Sequence, residues 1–367
     1  MRSIWQRAAV GYLVFVLGAG AATEPLELAK FTGILSCQSS SCHGGGLGKD
    51  QCNTWASLDF HVRATAILLT PRSKAITGTL RSGAPITNAR CTVCHAPLAG
   101  VQESRLTPAA HADEGVSCEA CHGPASGWLL SHTRKDYTYR QRVASGMNDL
   151  RSLYQRANTC VACHEYLDAD IAKAGHPPLV FELDSQTVSE PPHWKDSDPW
   201  IGLHSWLGGQ AVAYREETWH LLQGAPGAPA RWAALGWLLR ETAAELKGLP
   251  QFTAGPGELT GDQLAAAEKS ADQLARSATT YPWTTGAASD LLHRLATTAD
   301  LRGADQAQVL AQALDRLVVE LNHQGVMIPG GGAKLDAIFA DVRRPEDFDA
   351  ARFRLDLEQF SKLLSHS

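Results

Sequence analysis

The chain has little methionine, little net charge and no long apolar run. It contains 3 methionines, and Met1 lies in a segment that we expect to be removed, so only Met147 and Met327 remain as potential thioether ligands. The 33 basic and 38 acidic residues give a net charge of -5, which favours neither a nucleic-acid-binding protein nor a disordered acidic tail. The longest apolar run, residues 8–17, is too short for a membrane-spanning helix.

The N-terminus has the features of an export signal. Arg2 and Arg7 precede the apolar run, and the small residues Ala19, Gly20 and Ala21 follow it. We therefore predict a cleaved signal peptide over residues 1–21, a mature protein in the periplasm, and no membrane span after cleavage. A buried N-terminal helix and an uncleaved anchor are the alternatives.

What the chain does have is cysteine together with histidine, 9 and 14 residues respectively. This combination narrows the class to a metal or haem protein or a disulfide scaffold. Export permits disulfides, but the odd number and the spacing are not those of a disulfide framework. Three segments read Cys-x-x-Cys-His, at residues 91–95, 118–122 and 160–164. A fourth, residues 37–43, keeps the Cys-His end but separates its cysteines by four residues.

The Cys-x-x-Cys-His pattern is typical of covalent c-type haem attachment. Two thiols add to the two vinyl groups of the haem, and the adjacent histidine is thereby held next to the iron. A zinc site does not require a histidine directly after the second cysteine of each pair. No thioredoxin-like pattern surrounds these segments, which argues against a redox motif. We predict four covalently bound haem c groups. Their predicted attachment residues are Cys37, Cys42, Cys91, Cys94, Cys118, Cys121, Cys160 and Cys163, with His43, His95, His122 and His164 as proximal iron ligands.

A haem iron held by one histidine has an open sixth position. Two methionines cannot close four irons, so histidine on both sides is the economical interpretation, and it favours lower potentials than methionine ligation. The candidate distal ligands are His61, His132 and His176, followed by His111 and His193. Cys52 is left over. We interpret it as a small buried apolar side chain, with a redox thiol or an iron ligand as alternatives.

The order of these motifs resembles that of the cytochrome c-554-like multihaem cytochromes, over about residues 31–200. The most specific matching stretches are Gly-Val-Ser-Cys-Glu-Ala-Cys-His-Gly-Pro, from Gly115, and Gly-His-Pro, from Gly175. The resemblance implies stacked, closely packed haems with mostly two histidine ligands, and electron transfer in the periplasm. It also supports the wide first motif as a haem site. Two departures are that no Cys-x-x-Cys-His follows His164, and that Asp168 and Asp170 stand where relatives can have another histidine.

The predicted fold is mainly α. Residues 31–200 should form a loop-rich haem domain organised around stacked haems, with short helical stretches such as 57–69 and no sizeable sheet. Residues 201–367 should form an all-helical domain without haem motifs, because amphipathic spacing recurs there, as at Leu310, Leu314, Leu317 and Leu321. Glycine- and proline-rich breaks divide this region into roughly five or six helices, and Pro345 should open the last one.

These features predict a periplasmic tetrahaem carrier that transfers electrons between periplasmic or membrane-associated redox proteins. One alternative is a redox enzyme in which one five-coordinate haem acts on a small nitrogen or oxygen species. Another is an electron-transfer subunit of a larger complex, docked through the helical domain. No acid–base pair is recognisable, so the sequence predicts no catalytic residue, and no nucleic-acid partner is expected.

Overall fold

The computed structural model is mainly helical, which confirms the predicted fold class. It describes residues 29–225, 229–252, 260–298, 301 and 303–364. The predicted signal peptide over residues 1–21 lies outside the described residues. Within the described ranges, the only β-type pairing is an isolated parallel bridge between Phe31 and Leu106. No described helix is both long enough and apolar enough to cross a membrane.

Short helices joined by turns make up the first part of the chain. The α-helices are α1 (Gln51–Leu58), α2 (Ala64–Ile67), α3 (Pro71–Leu80), α4 (Ala89–His95), α5 (Cys118–His122), α6 (Tyr139–Ala144), α7 (Leu153–His164), α8 (Ala169–Lys173) and α9 (Leu183–Ser189). The 3-10 turns are Ile34–Ser36, Phe60–Arg63, Pro85–Thr87, Pro97–Gly100, Glu103–Arg105 and Ser131–Thr133. Little of this part is regular for more than three turns of helix.

We expected one helical stretch over residues 57–69, but the structure has three separate pieces there. Helix α1 ends at Leu58 because Asp59 adopts an extended backbone conformation, with φ -82° and ψ 130°. The Asp59 carboxylate accepts the backbone N–H of His61 at 2.8 Å. A local bond of this kind competes with continuation of a helix, so the chain restarts as a 3-10 turn that carries His61.

Longer helices follow from Ile201 onward. They are α10 (Ile201–Leu222), α11 (Pro229–Glu245), α12 (Gly261–Ala278), α13 (Thr285–Ala296), α14 (Ala304–His323), α15 (Gly331–Val342) and α16 (Ala350–Leu364). The described residues thus hold seven α-helices here rather than five or six. The last one does not begin at Pro345, which opens a separate 3-10 turn. It begins after Asp349, whose carboxylate accepts the N–H groups of Ala351 and Arg352.

Helix α10 lies at the centre of the hydrophobic core. It packs along α12 and against α7, α9, α11 and α14, and its Trp206 and Leu207 are fully buried. The same core takes in Val161 from α7 and Phe181 from the loop before α9. The core therefore spans the predicted boundary between residues 200 and 201, and it reaches α7, the helix that carries the motif at residues 160–164.

A buried ion pair reinforces this connection. The Arg231 side chain in α11 donates from Nε to Glu165 Oε1 at 2.5 Å and from Nη2 to Glu165 Oε2 at 2.8 Å. Arg231 Nη2 also donates to the Phe181 carbonyl at 3.2 Å. Burial lowers the pKa of Arg231, but the attraction of Glu165 and the hydrogen bonds to it, together with the charges of Glu217 and Asp305, outweigh the burial and the pKa is raised. Since Glu165 directly follows His164, the pair fixes the end of the fourth motif to the helical region.

We predict that Arg231→Met lowers the free energy of unfolding by about 3–5 kcal/mol, because it leaves Glu165 as an uncompensated buried charge. Urea unfolding followed by far-UV circular dichroism measures the loss. A second change, Glu165→Leu, should recover much of it. The matched control is Arg294→Met. Arg294 pairs with Glu241 and Glu245 at the surface, where we expect a loss of at most about 1 kcal/mol. Equal losses at the two arginines would contradict the prediction.

Candidate haem sites

Each regular motif ends a short helix. Helix α4 ends at His95, α5 at His122 and α7 at His164. Residues three apart lie on the same side of a helix, so the two thiols of each motif face the same way. The first motif along the chain, residues 37–43, begins at Cys37, which terminates the 3-10 turn Ile34–Ser36, and continues through irregular turns. All nine cysteines lie in the described part of the chain, and none forms a disulfide. The leftover Cys52 is 5% exposed.

Glu119, inside the motif at residues 118–122, fastens this motif to residues 32 and 33. Its buried carboxylate accepts the backbone N–H groups of Thr32, Gly33 and Ala125 at 2.7–2.9 Å. A carboxylate can satisfy several donors at once because both of its oxygens accept. Glu119 therefore links the motif to a segment that lies 86–87 residues earlier in the chain.

The central finding is that each motif histidine faces one other histidine. The ring centres are 6.1 Å apart for His43 and His132, and 6.1 Å apart for His164 and His61. They are 6.3 Å apart for His95 and His176, and 6.3 Å apart for His122 and His193. Two imidazoles that bind one metal ion from opposite sides, with metal–nitrogen bonds of about 2.0 Å, have ring centres about 6 Å apart. The spacing of all four pairs fits an iron held between two histidines.

The pairing follows space rather than sequence. Numbering the motifs in chain order, the facing histidine is His132 for the first motif (residues 37–43) and His176 for the second (residues 91–95). It is His193 for the third motif (residues 118–122) and His61 for the fourth (residues 160–164). His132 and His176 therefore do not pair with His122 and His164, their neighbours along the chain. The remaining candidate, His111, is exposed, and in the described part of the chain its ring packs against no motif histidine.

Burial keeps three motif histidines in the form that can bind a metal. It lowers the pKa of His122 to about 4, with a further contribution from His193. It also lowers the pKa of His95 and of His164. Metal binding requires the neutral imidazole, so these rings need no deprotonation at neutral pH.

In three of these histidines, the Nδ1 atom has a hydrogen-bond partner of its own. The Nδ1–H of His43 donates to Gln51 Oε1 at 2.9 Å. The Nδ1–H of His132 donates to the Trp128 carbonyl at 3.3 Å, and that of His176 to the Pro177 carbonyl at 2.8 Å. A partner at Nδ1 fixes the tautomer and leaves Nε2 for a metal. Sequence reasoning missed these partners.

His61 differs because its partners are carboxylates. Its Nδ1 lies 3.0 Å from Asp59 Oδ1 and 3.3 Å from Glu190 Oε2. Hydrogen bonds to Asp59 and Glu190 raise the pKa of His61 to about 10. Burial raises the pKa of Asp59, but the hydrogen bonds with the His61 ring, Glu190 and the His61 backbone, together with the charge of His61, outweigh it and bring the value to about 2. The sequence offered a reason to expect Asp59 as a partner of His61, because the two residues are only two positions apart. No pattern around Glu190 indicated that it would be the other partner.

The cysteines show which motifs are neighbours. The Cys37 thiol contacts that of Cys118, and the Cys94 thiol contacts that of Cys163. Burial, with a smaller contribution from the nearby Cys160 thiol, raises the pKa of Cys121 to about 12. The motifs therefore follow one another in space in the order 37–43, 118–122, 160–164 and 91–95, which differs from their order along the chain.

Comparison with known families agrees with the motif analysis. Residues 36–123 match the model of a family described as cytochrome c554 and c-prime. The matched range contains the first three motifs, and the match supports the predicted cytochrome c554-like family. It supports covalently bound haem c and electron transfer as the general function. No curated protein and no solved structure matches the chain.

We predict that Glu119→Gln lowers the free energy of unfolding by about 1–3 kcal/mol, because the new amide group would face a buried N–H donor and leave it unsatisfied. Urea unfolding of the haem-loaded protein measures this loss. Glu103→Gln, at an exposed position, makes the same chemical change without such donors and should leave stability within about 0.5 kcal/mol. No difference between the two variants would mean that Glu119 does not fasten the motif.

Proposed function

We propose that the protein is a periplasmic tetrahaem c-type cytochrome that passes electrons between redox partners, with each iron closed by two histidines. The four histidine pairs, with ring centres 6.1–6.3 Å apart, carry this proposal. Each pair joins one motif histidine to one histidine outside the motifs, so no ring is shared. An iron with both axial positions taken exchanges electrons without binding a substrate, which favours a carrier.

Haem c, when bound, supplies a one-electron iron couple, and the chain supplies its attachment and surroundings. The eight motif cysteines would hold the four groups, and the paired histidine rings would bind the irons. Two histidines give a lower potential than histidine with methionine. In the described residues, the side chain that faces each motif histidine is a histidine and not Met147. The chain thus tunes the haems through ring partners and burial.

The contacts between motifs support a linear route for electrons. Its two ends would be the motif at residues 37–43 and the motif at residues 91–95, with the other two motifs between them. Two of the three successive pairs of motifs touch through cysteine thiols, Cys37 with Cys118 and Cys94 with Cys163. In the third pair the Cys121 and Cys160 thiols lie near each other, so neighbouring haems would lie close together. We propose that partner proteins exchange electrons at the two ends.

The positions that raised doubt in the sequence have another role. Asp168 and Asp170, which stand where relatives can have a further histidine, both form ion pairs with Arg90. The second motif already has His176 as the partner of His95. This arrangement favours a carrier over an enzyme with an open iron. The periplasmic location rests on the predicted export signal, and periplasmic or membrane-associated redox proteins remain the proposed partners.

The direct test is electron paramagnetic resonance of the oxidised protein, with haem content per chain counted on the same sample. We expect four haems and low-spin signals alone. A high-spin signal from a stoichiometric share of the iron would overturn closure of every iron and favour the enzyme alternative, to be followed by binding of nitric oxide, nitrite, hydroxylamine or peroxide. Three haems would remove Cys37, Cys42 and His43 from the site.

The pairing is tested by comparing two histidine substitutions. His193→Ala should retain four covalent haems but convert one to high spin, because His122 loses the ring that faces it. His111→Ala, at the exposed candidate without a ring partner, should leave all four signals low-spin. Electron paramagnetic resonance distinguishes the two variants. High spin in the His111 variant, with none in the His193 variant, would contradict the pairing.

A further inference from the structure

The surroundings of His61 set one of the four sites apart. His132 and His176 donate their Nδ1–H to neutral main-chain carbonyls. His61 donates instead toward two carboxylates, at 3.0 Å from Asp59 and 3.3 Å from Glu190. The ring of His61 also faces His164 of the fourth motif. Any effect of the two acids should therefore be felt at the fourth site first.

The two carboxylates are fixed by separate parts of the chain. The Asp59 side chain is 7% exposed and is oriented by the bond that it accepts from the His61 backbone. Glu190 terminates α9, and its own N–H donates to the Gln186 carbonyl at 3.0 Å. The Glu190 side chain is 23% exposed. Their convergence on one nitrogen is a result of the fold rather than of a local turn.

Both carboxylates act in the same direction on a haem iron. A ring that donates to a carboxylate is a more basic ligand than one that donates to a carbonyl, because the hydrogen bond shifts electron density toward the metal-binding nitrogen. Negative charge nearby also favours the oxidised iron, which carries one more positive charge than the reduced iron. Each effect lowers the reduction potential.

We propose that Asp59 and Glu190 are positioning residues that make the haem of Cys160, Cys163 and His164 the lowest in potential of the four. The inference rests on the proposed histidine ligation. This motif lies inside the chain of sites, between the motifs at residues 118–122 and 91–95. A low-potential haem there separates the first and third motifs from the second, so electrons in a partly reduced protein occupy the two sides and not this haem.

The test is a potentiometric titration of the haem-loaded protein at fixed pH. Glu190→Gln should raise the lowest of the four midpoints most, with a smaller rise for the haem of residues 118–122, because Glu190 also lies near Cys121; the other two midpoints should stay in place. Asp59→Asn should do the same, and the double variant more strongly. We expect the reduction equilibrium constant of that haem to rise about tenfold, a shift of about 59 mV for one electron. The matched control is Asp136→Asn, which removes an exposed carboxylate paired with Arg134 and should move no midpoint.

The identity of the shifted haem is checked with His61→Met, which should raise the same midpoint because methionine ligation raises haem potentials. Glu190→Gln keeps the test decisive if Asp59→Asn fails to fold, since Glu190 does not cap the turn at His61. Four low-spin haems with an unmoved lowest midpoint in the Glu190 variant would overturn the inference and leave the proposed function standing. Equal shifts of all four midpoints would also overturn it. A high-spin haem in the unaltered protein would instead overturn the ligation on which the inference rests.

Discussion

The rest of the structure depends on bringing four pairs of imidazole rings to about 6 Å. Each motif can place only its own histidine, because the cysteines and the histidine are adjacent in the chain. The second ring of every pair comes from elsewhere, and its backbone must be held by other contacts. The turn capped by Asp59, which carries His61, is such a contact. A loop-rich chain suits this requirement better than long helices, since each loop can direct one ring independently.

What could be predicted from the sequence was what depends on neighbouring residues. The motifs, their proximal histidines and the heptad-like spacing in α14, where Leu310 and Leu317 are fully buried, are local patterns. The distal partners are not. His132 was evident as a candidate because it follows the third motif closely, yet it faces His43 of the first. His193 ranked no higher than His111, and only the fold separates them. Spacing along the chain carries no information about which ring meets which.

The helical part shows the same division between local pattern and packing. Its amphipathic helices were predicted, but their number and the start of the last one were not, because short caps such as Asp349 decide where helices begin. The boundary with the haem segment was placed where cysteines stop and long helices start. The core does not stop there, since Val161 and Phe181 pack with α10. The amino-acid composition changes near residue 200, but the hydrophobic core continues across that point.

The pair of Arg231 and Glu165 has a consequence for electron transfer itself. Electron transfer is slowed when ligands must move as the charge on the metal changes. Glu165 is the residue next to His164, and its side chain is locked between α11 and the Phe181 main chain. The helical region therefore holds the residue next to His164 in place. Under the proposed ligation, this restraint would limit the movement of one ligand of the haem at residues 160–164 when its charge changes.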